Sequence, residues 1–479
     1  MKTCLAVDFG STYTKVALID LDASDVLATA KAASTVDTDV NDGLQNALSQ
    51  LGVSASELDD MPAVASSSAA GGLRVAVVGL VPDLSLEAAR RAALGAGAKI
   101  IRAFGYKLTP ADVEQLERDA PEILLLVGGT DGGDEAVVLH NGRLLAQSSL
   151  RALFIAAGNR VAMPECAAIL RAGGKEVAIA DNLLPTIDVV NAEPVRELIR
   201  TVFMTRIVHA KGIDRARKRF LGGIIPTPAA VLRGAELLAQ GADSEPGLGE
   251  LMVVDVGGAT TDVHSIADGA PSSPSILVKG LPEPHAKRTV EGDLGLRANA
   301  PTIVERVGED AVLRLLPTAV GRERSPQEFA TTAQALTSFV PTTSDEQWMD
   351  SALARCAVRI AAIRHAGTHT RVFSGSGEAT VQRGKDLSSV RSIVGVGGIF
   401  AFGIAPEFVL SGALASPETS EALLPQSPRM LIDKRYVLYA VGLLADIAPA
   451  AAVRIGKKYL FPVQAPSVRG RPQEAPANS

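Results

Sequence analysis

A short apolar strand that ends in aspartate and breaks into glycine and hydroxyl residues occurs twice in this chain. The first copy is Val7-Asp8-Phe9-Gly10-Ser11-Thr12, and the second is Val254-Asp255-Val256-Gly257-Gly258-Ala259-Thr260-Thr261. Such a turn supplies what a polyphosphate and its metal require. Glycines let main-chain N–H groups approach phosphate oxygens, hydroxyls add donors, and an aspartate holds Mg2+ through water. Magnesium uses only one or two carboxylates, so Asp8 and Asp255 facing each other would suffice. Lys15, on the return strand after Asp8, is placed to reach a β- or γ-phosphate as a point charge. One such turn is commonplace in a glycine-rich chain, but two in mirrored positions point to a phosphate clamp. Other nucleotide patterns fail. The Gly-Lys pairs at 174–175, 384–385 and 456–457 are followed by Glu, Asp and Lys, so none is a P-loop.

Composition narrows the class. The 479 residues allow roughly three domains. A net charge of −6 argues against a nucleic-acid-binding surface. Cys4, Cys166 and Cys356 are scattered singly, which excludes a disulfide framework and fits a reducing compartment. Asp8 interrupts the apolar start, so no signal peptide is expected. The apolar run Tyr436 to Val453 carries Asp446, so no membrane span is expected there. The expectation is a soluble cytoplasmic protein of open oligomeric state.

Strand-like and helix-like segments alternate almost end to end, the pattern of α/β layers. Leu5–Asp8 and Lys15–Ile19 read as a β-hairpin. Between Gly71 and Asn182, strand candidates Val75–Val78, Lys99–Arg102, Ile123–Val127, Ala152–Ala156 and Val177–Ile179 alternate with helical stretches. They predict a small doubly wound domain inserted into the first half. Pro226 to Ala239 and Glu346 to His365 read as helices, and the tail after Phe461 lacks periodicity and is expected to be disordered.

These residues resemble the superfamily of actin, sugar kinases and heat-shock chaperone ATPases, whose halves each carry a ribonuclease-H-like core. Asp8 to Lys15 is similar to its first phosphate loop, and Asp255 to Asp262 to its second. Pro226 to Ala239 resembles its first connecting helix, Ile393 to Phe400 its adenosine loop, and Tyr439 to Leu444 its second connecting helix. The resemblance implies an α/β, two-lobed, actin-like ATPase fold with an inserted doubly wound domain. Its expected parts are 1–65 as the start of the first lobe, 66–190 as the inserted domain, 191–245 as the rest of that lobe with its connecting helix, 246–460 as the second lobe, and 461–479 as the tail. It also implies ATP and Mg2+ as cofactors. Gly10, Ser11, Thr12, Lys15, Gly257, Gly258, Thr260, Thr261, Gly395, Gly397 and Gly398 would bind the nucleotide, and Asp8 and Asp255 would hold the metal through water.

A narrower resemblance covers nearly the whole chain. Ser66 to Arg74, Leu126 to Gly133, Val256 to Ser265 and Gly280 to Gly295 look like the glutamate mutase accessory family, called MutL or GlmL and unrelated to the mismatch-repair protein of similar name. That family implies an ATP-driven chaperone or reactivating factor, with an adenosylcobalamin-dependent mutase as its protein partner. Nucleotide-driven lobe closure is the implied mechanism, with slow Mg-dependent ATP hydrolysis.

Departures from the pattern leave choices open. Where chaperones place an acidic residue before the first connecting helix, this chain has Thr227, which accepts no proton usefully at neutral pH. Gly292-Asp293-Leu294-Gly295 resembles the chaperone loop beside the γ-phosphate. Asp293 is the candidate for orienting the attacking water, with Glu291 in reserve; a surface turn with a solvated charge is the other reading. Gly128-Gly129-Thr130-Asp131-Gly132-Gly133 either cradles an anion or is a flexible turn. The inserted domain lacks an Asp-x-His-x-x-Gly ligand motif, which argues against direct cobalamin binding. Lys287 and Arg288 meet phosphate, an acidic partner or only solvent, and His365 with His369 favours a structural role over a metal. The competing functions are a small-molecule kinase and a non-catalytic nucleotide-binding scaffold.

Overall fold

The computed structural model describes residues 2–10, 13–35, 38–53, 61–68, 73–187, 189–207, 220–243, 245–321, 324–336, 338–374 and 377–464. Ser11 and Thr12, and residues 465–479 of the expected disordered tail, lie outside them. The chain divides into two compact units, Met1–Val231 with Lys279–Glu283, and Leu232–Val278 with Pro284–Ser479.

The first unit is built on β1 (Thr3–Phe9), β2 (Tyr13–Asp20), β3 (Asp25–Ala33), β4 (Ala63–Ser67) and, after the inserted segment, β10 (Phe220–Pro226). Their order is β10-β4-β1-β2-β3, with β1, β2 and β3 antiparallel and β4 and β10 parallel to β1. β1 lies at the centre, so its run Cys4 to Phe9 is buried throughout rather than alternating. Phe9 meets Phe220 edge to face at 5.9 Å between ring centres, a pair worth about 1 kcal/mol beyond its burial.

The inserted segment folds into β5 (Arg74–Gly79), β6 (Lys99–Gly105), β7 (Ile123–Leu126), β8 (Leu153–Ala156) and β9 (Glu176–Ile179), in the order β6-β5-β7-β8-β9 and parallel throughout. Both faces are covered. Val75, Val77, Ile123 and Leu125 join the core beneath β1, while Ala76, Val78, Leu124 and Leu126 pack on a separate cluster with Leu116 and Leu145. That explains the unbroken apolar run of β7. The segment Lys279–Glu283 also belongs to this unit. Leu281 is buried in its core, and Arg91 donates to Pro282 O at 2.9 Å and to Glu283 Oε1 at 2.6 Å.

Beyond a two-residue ladder, β11 (Gly241–Ala242) and β12 (Glu245–Pro246), the second unit repeats the first. Its strands are β13 (Leu251–Val256), β14 (Thr261–Ile266), β16 (Ala286–Glu291), β19 (Ser392–Val396), β20 (Arg429–Asp433) and β21 (Leu460–Val463), with β15 (Leu277–Lys279), β17 (Thr368–Ser374) and β18 (Gly377–Arg383) forming a small separate sheet. The main order is β16-β14-β13-β19-β20-β21. Again three antiparallel strands are followed by two parallel to the first, and β21 adds an antiparallel edge. The long helix Ser344–His365 covers one face; its Thr343–Glu346 capping box sets the start. The duplicated ribonuclease-H-like architecture is thus present strand for strand. Among the described residues no helix is long and apolar enough to cross a membrane.

Candidate functional site

The two aspartates of the repeated pattern occupy matching places, near the carboxyl ends of β1 and β13. Asp8 is 1% exposed and pairs in register with Lys15 on β2 and Ser66 on β4. Ser66 Oγ donates to Asp8 Oδ1 at 3.0 Å, and Thr227 Oγ1 donates to the same oxygen at 2.5 Å. Lys15 Nζ lies 3.6 Å from Oδ2. Thr227 reaches Asp8 because it opens the helix Thr227–Gln240 directly after β10. Gly10 is required locally: a Cβ there would fall 2.5 Å from Tyr13 O. The first unit therefore gathers Asp8, Gly10 and Lys15. It adds Ser66 and Thr227, which reading along the chain did not assign to Asp8.

In the second unit the turn between β13 and β14 has an asymmetric hydrogen-bond balance. Every carbonyl from Gly257 to Thr260 is occupied. Gly257 O accepts Leu296 N–H, Gly258 O accepts Arg297 and Ala298 N–H, and Thr260 O accepts Gly257 N–H. Ala259 O accepts Asn299 Nδ2. Among the described residues nothing accepts the N–H groups of Gly258, Ala259 or Thr260. Successive amides with no protein acceptor form a concavity suited to an anion. The bracing segment approaches so closely that a Cβ at Gly295 would lie 2.3 Å from Ala259 C.

The hydroxyls here serve the fold instead. Thr261 Oγ1 donates to Leu294 O at 2.7 Å, and Thr260 Oγ1 to Asp262 Oδ2 at 2.9 Å. Asp262 is held in turn by Arg288, whose Nε and Nη2 lie 3.0 and 2.6 Å from Oδ1. Both side chains are buried, so Arg288 is neither solvated nor open to a partner. It fixes Asp262, and through it the Thr260 end of the turn. Lys287 is buried too and donates to His365 O at 3.0 Å. Beside Arg288, burial and then the guanidinium charge push His264 down to about 3, so it is neutral.

Asp255 is half-buried on β13, and Gly397, after β19, stands against it. Gly397 has φ +112°, and a Cβ there would lie 2.3 Å from Val256 O and 3.2 Å from Asp255 Oδ1. A Cβ at Gly395 would meet the Phe400 ring at 2.7 Å, whereas Gly398 faces open space with nothing within 4 Å. The second unit thus assembles Asp255, Gly257, Gly258, Thr260, Thr261, Gly395, Gly397 and Gly398. Asp293 lies just before Gly295, 2.5 Å from Arg306 Nη2 and 3.1 Å from Arg364 Nη1. Burial would raise its carboxyl, but the hydrogen bond and charge of Arg364, joined by Arg306, hold it below the ordinary value. Glu291 is also engaged by Arg364.

The remaining titratable candidates are structural. His365 is buried between Thr289 Oγ1 and Ser265 Oγ, each 2.8 Å away, and burial with the Lys287 and Lys385 charges drives its titration well below the usual range. Burial pushes the thiols of Cys4, Cys166 and Cys356 up to about 11. Among the described residues no group of three or more His, Cys, Asp or Glu could hold a metal. A Mg2+ that keeps its waters and needs one or two carboxylates still fits Asp8 or Asp255.

A duplicated ribonuclease-H-like fold with an aspartate-glycine turn in each copy defines the class: an actin-like ATPase fold carrying an inserted doubly wound domain. Within that class the chain belongs to the MutL protein family, whose model matches residues 4–460. Protein MutL of Clostridium tetanomorphum is 41% identical over 466 residues, which are 97% of this chain and 100% of that protein. Among solved structures, the activator of 2-hydroxyisocaproyl-CoA dehydratase from Clostridium difficile with bound ADPNP is 8% identical, with TM-score 0.33 over 97% of this chain and 100% of that one. A xylulose kinase from Bifidobacterium adolescentis is 12% identical, with TM-score 0.31 over 96% and 94%. At such scores these likenesses carry no weight, and the fold rests on the strand order.

Proposed function

We propose that this protein binds Mg-ATP, hydrolyses it slowly and uses the nucleotide cycle to act on an adenosylcobalamin-dependent mutase of the glutamate-mutase type, in the cytoplasm. The observation that carries the nucleotide reading is the turn Gly257–Thr260, whose carbonyls are occupied while three successive amides have no acceptor among the described residues. Asp8 and Asp255 hold the metal through water, Lys15 meets a phosphate, and Gly395, Gly397 and Gly398 receive the adenosine. Asp293, kept ionised by two guanidiniums, orients the attacking water rather than taking its proton. Closure of the lobes on the nucleotide transmits the cycle to the mutase. Membership in the MutL family supports the choice of client.

A kinase would need a base aimed at an acceptor hydroxyl. Thr227 donates a hydrogen bond to Asp8, and Asp293 is held by Arg306 and Arg364, so neither is suited to that task.

The test is reactivation. A glutamate-mutase-type enzyme inactivated by turnover is incubated with this protein, fresh adenosylcobalamin and ATP, ADP or no nucleotide. Recovery of mutase activity with ATP alone is expected. Equal recovery without nucleotide, or none with any of them, refutes the role.

A further inference from the structure

The inserted domain contains a second turn with the same division of donors and acceptors. Its sheet runs β6-β5-β7-β8-β9, so the chain leaves β5 for one neighbour and returns to β7 on the other side. Ligands of open parallel sheets bind where such loops part, outside the carboxyl ends of the strands. At that place β7 runs into Val127-Gly128-Gly129-Thr130. Gly128 O accepts Asn159 N–H at 3.0 Å, Gly129 O accepts Asn182 Nδ2 at 3.1 Å, and Thr130 O accepts Gly133 N–H at 2.9 Å. Among the described residues nothing accepts the N–H groups of Gly128, Gly129 or Thr130, although both glycines are buried. Buried amides without an acceptor are rare in folded chains.

Much holds this arrangement in place. Asn159 Oδ1 accepts Gly132 N–H and Asn182 Nδ2 also donates to Asp131, so two buried asparagines fix the loop from β8 and β9. A Cβ at Gly128 would lie 2.9 Å from Leu80 Cβ, and one at Gly158 would lie 2.6 Å from Gly128 O. Half-buried Leu80 and Val81 give the β5 side an apolar wall. The loop's charges limit the ligand. Asp131 accepts Arg160 N–H at 3.1 Å with Arg160 Nε 3.8 Å away, and Asp134 accepts Val137 N–H at 3.0 Å. With two carboxylates on the loop, a phosphate that carries two charges on one phosphorus is repelled more than a diester-type phosphate, which carries one charge per phosphorus.

We propose that the Gly128–Thr130 amides bind a phosphodiester group of a nucleotide-like ligand, at a site of its own in the inserted domain. Hydrogen exchange of the full-length protein, followed by mass spectrometry of peptides covering 127–134, tests this directly. The probes are NAD+, inorganic phosphate and adenosine at equal concentration. NAD+ is expected to slow exchange there severalfold, phosphate less and adenosine not at all. Thr130→Pro deletes one donor and should weaken NAD+ protection at least about fivefold, while Thr130→Ser keeps it. An unchanged melting temperature shows that Thr130→Pro is folded, and the wild-type titration stands without any variant. Unchanged exchange with NAD+ and phosphate, or protection that survives intact in Thr130→Pro, overturns the site. Equal protection by free phosphate overturns the diester assignment.

Discussion

Replacing Arg288 by methionine strands a buried carboxylate. Arg288 gives Asp262 two charge-assisted hydrogen bonds, and the side chains are 3% and 11% exposed. Removing one member of a buried pair typically costs 3–5 kcal/mol, because the other charge is left without compensation. The Thr260 hydroxyl still donates to Asp262, so the expected loss is at the lower end, about 3 kcal/mol. Exchange protection of β14 and β16 peptides isolates the effect in a chain of two units, where one global transition is not assured. A second change, Asp262→Asn, removes the stranded charge and should restore about 2 kcal/mol, appearing as strong coupling in a double-mutant cycle. A loss under about 1 kcal/mol, or additive effects of the two changes, would show that the pair does not brace the turn.

Other outcomes follow from single contacts. Burial raises the Asp433 carboxyl to about 6 against the pull of the Val437, Leu438, Arg435 and Tyr436 amides. The folded chain thus retains a proton that the unfolded chain releases near pH 4. A penalty of roughly 2–3 kcal/mol grows as pH rises from about 4 to 6 and stays constant above. Asp433→Asn should gain on wild type across that window in unfolding experiments, and a difference independent of pH contradicts this. Thr227→Val loses the bond to the buried Asp8 carboxylate, so it should lower the melting temperature and weaken Mg-ATP binding about tenfold, by calorimetry; unchanged affinity speaks against Asp8 as a metal-site residue. Gly397→Ala forces a Cβ against Val256 O and should lose both stability and nucleotide affinity, whereas Gly398→Ala, with open space around it, should lose only affinity. Equal effects of the two on stability would contradict the loop geometry.

What the sequence made legible was local. The hairpin after Asp8, the glycine turn after Asp255 and the strands of the inserted domain all declare themselves within a few residues. Periodicity, turn chemistry and apolar runs are properties of neighbours in the chain. The partners of Asp8 were not legible, because Ser66 and Thr227 reach it only through parallel pairing of β4 and β10 across long crossovers. Arg288 was misread for the same reason. Its place opposite His264 and beside Asp262 depends on β16 pairing with β14, and no spacing in the sequence announces that register. The threonines of the second turn look like phosphate donors in one dimension, yet their hydroxyls are committed to Leu294 and Asp262. The order of the inserted sheet, which locates its switch point, was likewise invisible until the strands were paired.

The most direct test of the account is Mg-dependent release of phosphate from ATP by the pure protein, wild type beside Asp8→Ala, with no other substrate present. Slow turnover that requires Mg2+ and vanishes in the variant is the predicted result. Wild-type protein that binds no ATP, or a variant that turns over as fast as wild type, would contradict the central claim.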